Sequence, residues 1–257
     1  MSLELYFGIC ATILGLILGS GMTALSWRLP RGQSWVHGRS QCPGCGHVLG
    51  VLDLVPVLSW VVSRGRCRHC GSRVAVRYPL IELACGAWAL LAYLHTGPVA
   101  AWPFVMLWGV LMVALVVIDL DHQLLPDALT FPGLLCALVA AVLQHALREA
   151  VFGMAIGAGL LWLVAELYFR VRKVEGMGFG DVKLAAMFGA LLGVPLTLLA
   201  IFLGALAGSV VGVVLMARGR GGMKTALPFG VFLGPGAMVA YLWGARWVAA
   251  YVHLLRP

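Results

Sequence analysis

The sequence predicts an all-α polytopic membrane protein with about eight transmembrane helices and a small cytoplasmic four-cysteine, zinc-ribbon-like insertion. Three observations predict it. Of 257 residues, 61% are apolar and 11% are charged, where an ordinary soluble domain carries roughly 25% charged residues. The apolar residues fall in long runs without charge. Four cysteines form two CxxC pairs inside a long polar stretch near the amino end. Too little polar surface remains to cover a water-soluble core, which excludes a secreted enzyme, a disordered regulator and an ordinary cytosolic module.

Residues 5–27 contain no charge and are long enough to cross a hydrocarbon core of about 30 Å. The run exceeds the apolar region of a signal peptide, and Glu4 stands where a signal peptide has basic residues, so residues 1–27 are expected to form an uncleaved first span. Residues 28–78, rich in Arg, Gly, Cys and Pro, are too polar to cross, and they form the expected four-cysteine domain. Residues 79–257 form the expected seven-span domain. Within it, the uncharged run 83–117 is too long for one crossing at about 1.5 Å per residue, and His95-Thr96-Gly97-Pro98 breaks it. A fourth span (128–146) and a fifth (150–169) meet at a turn around Arg148-Glu149. The run 184–217 breaks at Gly193-Val194-Pro195, and the eighth span starts at Thr225.

Charge sets the orientation. The net charge is +8, and eight arginines fall between Arg28 and Arg77. With that loop in the cytoplasm, Arg170, Arg172, Lys173, Lys183, Arg218, Arg220 and Lys224 lie inside as well. Only Arg148, Arg246 and Arg256 remain outside, as the positive-inside rule requires. The basic balance therefore reflects topology in a lipid partner, with no nucleic acid implied. Glycines four apart, such as Gly153/Gly157, Gly204/Gly208/Gly212 and Gly230/Gly234, suit close helix approach.

Cys42, Cys45, Cys67 and Cys70 have the spacing of a zinc ribbon, and each pair is followed by a glycine, Gly46 or Gly71. On the cytoplasmic side disulfides are disfavoured and metal ligation leads. Four thiolates close the coordination shell of a tetrahedral zinc, so its role would be structural. His47 and His69 are then left as substitute ligands without a vacancy.

Acidic residues are few, so their positions inform. Asp119, Asp121 and Asp127 lie where the third span meets the cytoplasm, and Asp181 closes Gly176-Met177-Gly178-Phe179-Gly180-Asp181 before the sixth. Between Asp119 and Asp181 the chain crosses out and back, so both sit at one membrane face. Two close carboxyls share a proton and divide acid and base roles, as activation of water against a peptide bond requires. Gly178 and Gly180 would let backbone approach closely. Other readings stay open: Asp127 and Asp181 as helix caps, Glu82 as a helix-dipole partner, Glu166 as an ion-pair partner of Arg170, and Lys183 as a topology charge. No HExxH, GxSxG or Walker pattern is present.

With these residues in place, the chain resembles the prepilin peptidases, GxGD-type membrane aspartyl proteases. The resemblance rests on Gly19-Ser20 with Arg28-Leu29-Pro30, the two CxxC pairs, and Arg77-Tyr78-Pro79-Leu80-Ile81-Glu82-Leu83. It continues through Ile118-Asp119-Leu120-Asp121-His122 to Pro126-Asp127, Gly178-Phe179-Gly180-Asp181 and Pro228-Phe229-Gly230. It covers nearly the whole chain. It implies a bacterial inner-membrane enzyme that cleaves the basic leader from type IV prepilins or type II secretion pseudopilins at the cytoplasmic face, after a glycine. The catalytic pair carried over by motif is Asp119 and Asp181. It also implies N-methylation of the new amino terminus with S-adenosylmethionine, for which Gly65 and Arg66 match the family's Gly-Lys. Thr23 and Leu54 stand where the family commonly has asparagines. The rival reading is a proton-coupled transporter with a structural zinc domain, since ionisable groups at membrane depth also mark proton pathways.

Overall fold

The computed structural model describes residues 3–34, 38–174, 176–219 and 227–255. Arg220, Lys224, Thr225 and Arg256 lie outside the described residues. The α-helices among them are α1 (Leu3–Arg28), α2 (Leu58–Val62), α3 (Arg77–Thr96), α4 (Trp102–His122), α5 (Asp127–Leu143), α6 (Leu147–Arg172), α7 (Phe179–Ala217), α8 (Gly230–Val239) and α9 (Ala245–Leu255). A π turn over Ala240–Gly244 joins α8 to α9 without a break. The only bridges among the described residues, Gln41 with Val48 and Arg66 with Arg73, belong to the insertion. The chain is thus all-α, as the apolar runs predicted. Helices α1, α3, α4, α6 and α7 are long and apolar enough to cross a membrane, and α5 is a shorter apolar helix.

The expected breaks fall where chemistry forces them. Gly97 ends α3 at φ 76°, and Gly193 interrupts α7 at φ 67° and ψ 178°, two residues before Pro195. The Thr197 hydroxyl donates to the Gly193 carbonyl at 2.6 Å, giving that carbonyl a partner at the break. Two boundaries differ from the sequence reading. The α5–α6 turn centres on His145, at φ 56°, so Arg148 and Glu149 lie in the first turn of α6, where Glu149 complements the helix dipole. Helix α3 starts at Arg77, before its apolar run, so Glu82 lies beyond the first turn and is not a dipole partner.

Helix α4 is the centre of the bundle. Trp108, Met112, Leu115 and Ile118 are fully buried on it, against Phe188 and Met187 of α7 and Leu233 of α8. The buried indoles keep partners: Trp108 Nε1 donates to the Met187 carbonyl at 3.3 Å, and Trp88 Nε1 donates to the Val105 carbonyl at 3.2 Å. Helices α6 and α7 meet backbone to backbone. A Cβ on Gly153 or on Gly189 would fall onto the main chain of the other helix, so small residues set this contact.

Candidate active site and metal centre

Asp119 sits in the last turn of α4 and is only 4% exposed. The residues that follow it on the helix face outward. Leu120 is exposed, and Asp121 turns away to pair with Arg77 at the start of α3. Two residues along a helix swing a side chain about 200°, which separates these two aspartates. Asp181 is the third residue of α7 and 7% exposed. The two carboxyls, from α4 and α7, interact electrostatically.

Glycine-bearing segments pack close to both aspartates. The Val231 backbone N–H donates to Asp119 Oδ2 at 3.0 Å. Helix α8 starts at Gly230, and its own N-cap residue, Phe229, makes no side-chain cap. Asp119 therefore caps α8 from another helix, placing a carboxylate at the positive end of a helix dipole. Gly230 makes the approach possible, because a Cβ there would lie 2.8 Å from Asp119 Oδ2. On the other side, a Cβ on Gly180 would lie 3.0 Å from the Leu125 Cβ, and a Cβ on Gly230 would lie 3.3 Å from Leu125 Cδ1. Leu125, 8% exposed, is the packing block between the Gly178-Phe179-Gly180-Asp181 turn and the Pro228-Phe229-Gly230 turn. Sequence reasoning gave no role to Leu125, and placed Gly230 only in its motif and in the Gly230/Gly234 helix-approach pair. The signal was the glycine opening an apolar helix directly after Pro228-Phe229.

The caps expected of two aspartates are not formed. Asp127 is the first residue of α5, whose N-cap is Pro126. Its Oδ1 instead accepts from Lys183 Nζ at 2.6 Å, so Lys183 ties α7 to α5. The N-cap of α7 is Gly178, and Asp181 lies three residues further on. The Glu166–Arg170 pair forms as spaced, at 2.7 Å.

The insertion gathers its four cysteines. The Sγ atoms of Cys42, Cys45, Cys67 and Cys70 all lie within 4.8 Å of one another, and Cys42 and Cys70 are 3.8 Å apart. A tetrahedral zinc with Zn–S bonds of about 2.3 Å sets neighbouring sulfurs about 3.8 Å apart, so the donor set fits. The two knuckles repeat one hydrogen-bond pattern. Cys42 N donates to His47 O and Gly46 N to Cys42 O, while Cys67 N donates to Ser72 O and Gly71 N to Cys67 O. Gly46 and Gly71 both stand at φ 70°, the left-handed conformation that favours glycine. The Ser72 hydroxyl lies 3.5 Å from Cys42 Sγ and 3.1 Å from Cys70 Sγ. This hydroxyl, together with the backbone amides of Gly44 and Cys45, lowers the Cys42 thiol to about 6, and the hydroxyl lowers Cys70 as well. The rings of His47 and His69 stack 3.5 Å apart.

Gly65 stands at φ 65°, and a Cβ there would press on the Trp60 ring at 2.8 Å. Arg66 beside it is exposed and bridges to Arg73. Thr23 is buried, with its hydroxyl donating to the Ser20 carbonyl, and Leu54 is exposed. Glu82 on α3 is 8% exposed, and its Oε2 accepts the Val57 N–H of the insertion at 2.7 Å.

Two family models match the chain. Residues 13–96 match the bacterial peptidase A24 N-terminal domain, and residues 104–213 match the type IV leader peptidase family. Among curated relatives, the prepilin leader peptidase/N-methyltransferase of Pseudomonas putida is 37% identical over 97% of this chain and 95% of its own. The proteins of that name from Stutzerimonas stutzeri and Pseudomonas aeruginosa are each 34% identical, over 98% and 97% of this chain and 96% and 94% of their own. No solved structure matches.

Proposed function

This chain belongs to the type IV leader peptidase family, and on that premise we propose that it is a prepilin leader peptidase/N-methyltransferase of the bacterial inner membrane. It cleaves type IV prepilins or type II secretion pseudopilins after a glycine on the cytoplasmic side, then methylates the new amino terminus. Its relatives lend nothing to the transporter reading. The observation that carries the proposal is the pair of buried carboxyls, Asp119 and Asp181, interacting beside Leu125 at the ends of two apolar helices.

Asp119 accepts the Val231 N–H with Oδ2, which leaves Oδ1 to take a proton from water. Asp181 holds the shared proton and delivers it to the scissile amide, so the water oxygen bonds the carbonyl carbon and the C–N bond breaks. Gly180 lets the start of α7 seat against Leu125, and Gly178 is the extended N-cap residue before it. The reading divides the chain as 1–27, a first span, 28–78, a cytoplasmic zinc domain, and 79–257, the protease domain. Cys42, Cys45, Cys67 and Cys70 hold a structural zinc. When bound, S-adenosylmethionine supplies the methyl group. Arg66, exposed beside Gly65, suits its carboxylate, while Gly65 itself is accounted for by Trp60.

The test is intact mass of a full-length prepilin after incubation with the purified protein in liposomes, with and without S-adenosylmethionine. Loss of the leader supports the peptidase, and a further gain of one methylene that needs the donor supports the transferase. An uncleaved substrate with a folded, zinc-loaded protein would overturn the proposal.

A further inference from the structure

The segment 51–62, between the two cysteine knuckles, carries one charge, Asp53. That charge is neutralised locally: Asp53 pairs with Arg68 at 3.5 Å and accepts the Gly50 N–H at 3.1 Å. The aliphatic side chains around it point outward. Val51, Leu52, Leu54, Leu58, Val61 and Val62 are between 43% and 84% exposed. In a domain otherwise rich in arginine, such a strip calls for a covering surface.

The hydrogen bond between Val57 and Glu82 says which surface. Glu82 is the sixth residue of α3, a membrane-crossing helix, so its Cα lies about 7.5 Å along the axis from Arg77. Helical side chains lean toward the amino end, so the carboxylate meets Val57 at the level of the first turn and a half. At that level α3 shows Leu80 and Leu83 outward, 58% and 48% exposed on an apolar spanning helix. The strip is thereby tethered beside surface that faces lipid. Arg64 and Arg73 flank it and are exposed, matching anionic headgroups.

We infer that residues 51–62 lie in the membrane interface, with the strip from Val51 to Val62 inserted at the boundary of headgroups and acyl chains and the arginines on the headgroups. The Glu82–Val57 bond sets the depth, and the zinc knuckles are held at the membrane surface rather than free in the cytoplasm. Insertion of this kind, about 5–10 Å deep, is how apolar faces of peripheral helices bind bilayers. The whole domain 28–78 remains too polar to cross. Only this strip enters.

The experiment places a fluorescent non-canonical residue at Leu52 or, in a second protein, at Val62 of the full chain. Each is reconstituted in nanodiscs of phosphatidylethanolamine and phosphatidylglycerol, with plain or brominated acyl chains. The expected result at both sites is loss of most of the fluorescence in brominated lipid, protection from aqueous iodide, and weaker quenching when phosphatidylcholine replaces phosphatidylglycerol. Iodide quenching without brominated-lipid quenching would overturn the inference. So would protection that appears only when a prepilin is added, which would make the strip a substrate dock. Quenching indifferent to headgroup charge would overturn the role given to the arginines.

Discussion

Replacing Gly230 by alanine should disable the site without unfolding the bundle. A Cβ at 230 would lie 2.8 Å from Asp119 Oδ2 and 3.2 Å from its Cγ, closer to the oxygen than real Cβ atoms approach. Asp119 must yield, because Gly230 is fixed by the start of α8 and by Leu125. Yielding breaks the Val231 N–H bond to Oδ2, a hydrogen bond to a charged group worth about 1.5–3 kcal/mol. If that bond is kept into the transition state, kcat/KM falls roughly 10- to 100-fold. Substrate binding along the membrane is untouched, so the loss should appear in kcat rather than KM. The assay is initial-rate cleavage of a purified prepilin in liposomes, beside a thermal melt. Gly159→Ala on α6 is the matched control, since a Cβ there meets nothing within 4 Å. It should cleave like the parent. A Gly230→Ala protein that cleaves within twofold of the parent would refute the positioning role of the α8 start.

Other outcomes follow from the same contacts. Asp121→Asn removes only the partly exposed pair with Arg77, worth at most about 1 kcal/mol, and should leave cleavage rates within a few-fold of the parent. Metal analysis should find one zinc per chain, lost in Cys67→Ser, with limited proteolysis then cutting within 28–78. Persistent zinc in that variant would contradict the four-thiol centre. Glu82→Leu leaves the Val57 N–H without its acceptor, a cost of about 1–3 kcal/mol. Hydrogen exchange should report it as faster exchange over 55–63, and unchanged protection there would contradict the tether.

The membrane helices were legible because lipid demands long uncharged runs, and Gly97 and Gly193 broke those runs where the sequence indicated. The knuckles were legible because CxxC followed by glycine encodes a local turn, and both turns adopt it. What escaped was set by partners distant in sequence. Asp127 reads as a cap until Lys183, 56 residues on, arrives from α7. Glu82 reads as a dipole partner until the Val57 amide of the insertion reaches it. Motif and topology singled out Asp119 and Asp181, but the Val231 amide that holds Asp119 lies 112 residues downstream. No local pattern announces that Leu125 would separate two glycine turns.

The most direct measurement of the proposed chemistry is a double-mutant cycle in kcat/KM for prepilin cleavage, with Asp119→Asn, Asp181→Asn and the two combined. Two carboxyls that share one proton act as a unit, and groups acting as a unit lose activity non-additively. The predicted result is a fall of about a thousandfold or more in each single variant, as expected for loss of an acid–base group, with no further fall in the double. Additive losses, or either single variant cleaving near the parent rate, would contradict a shared Asp119–Asp181 centre.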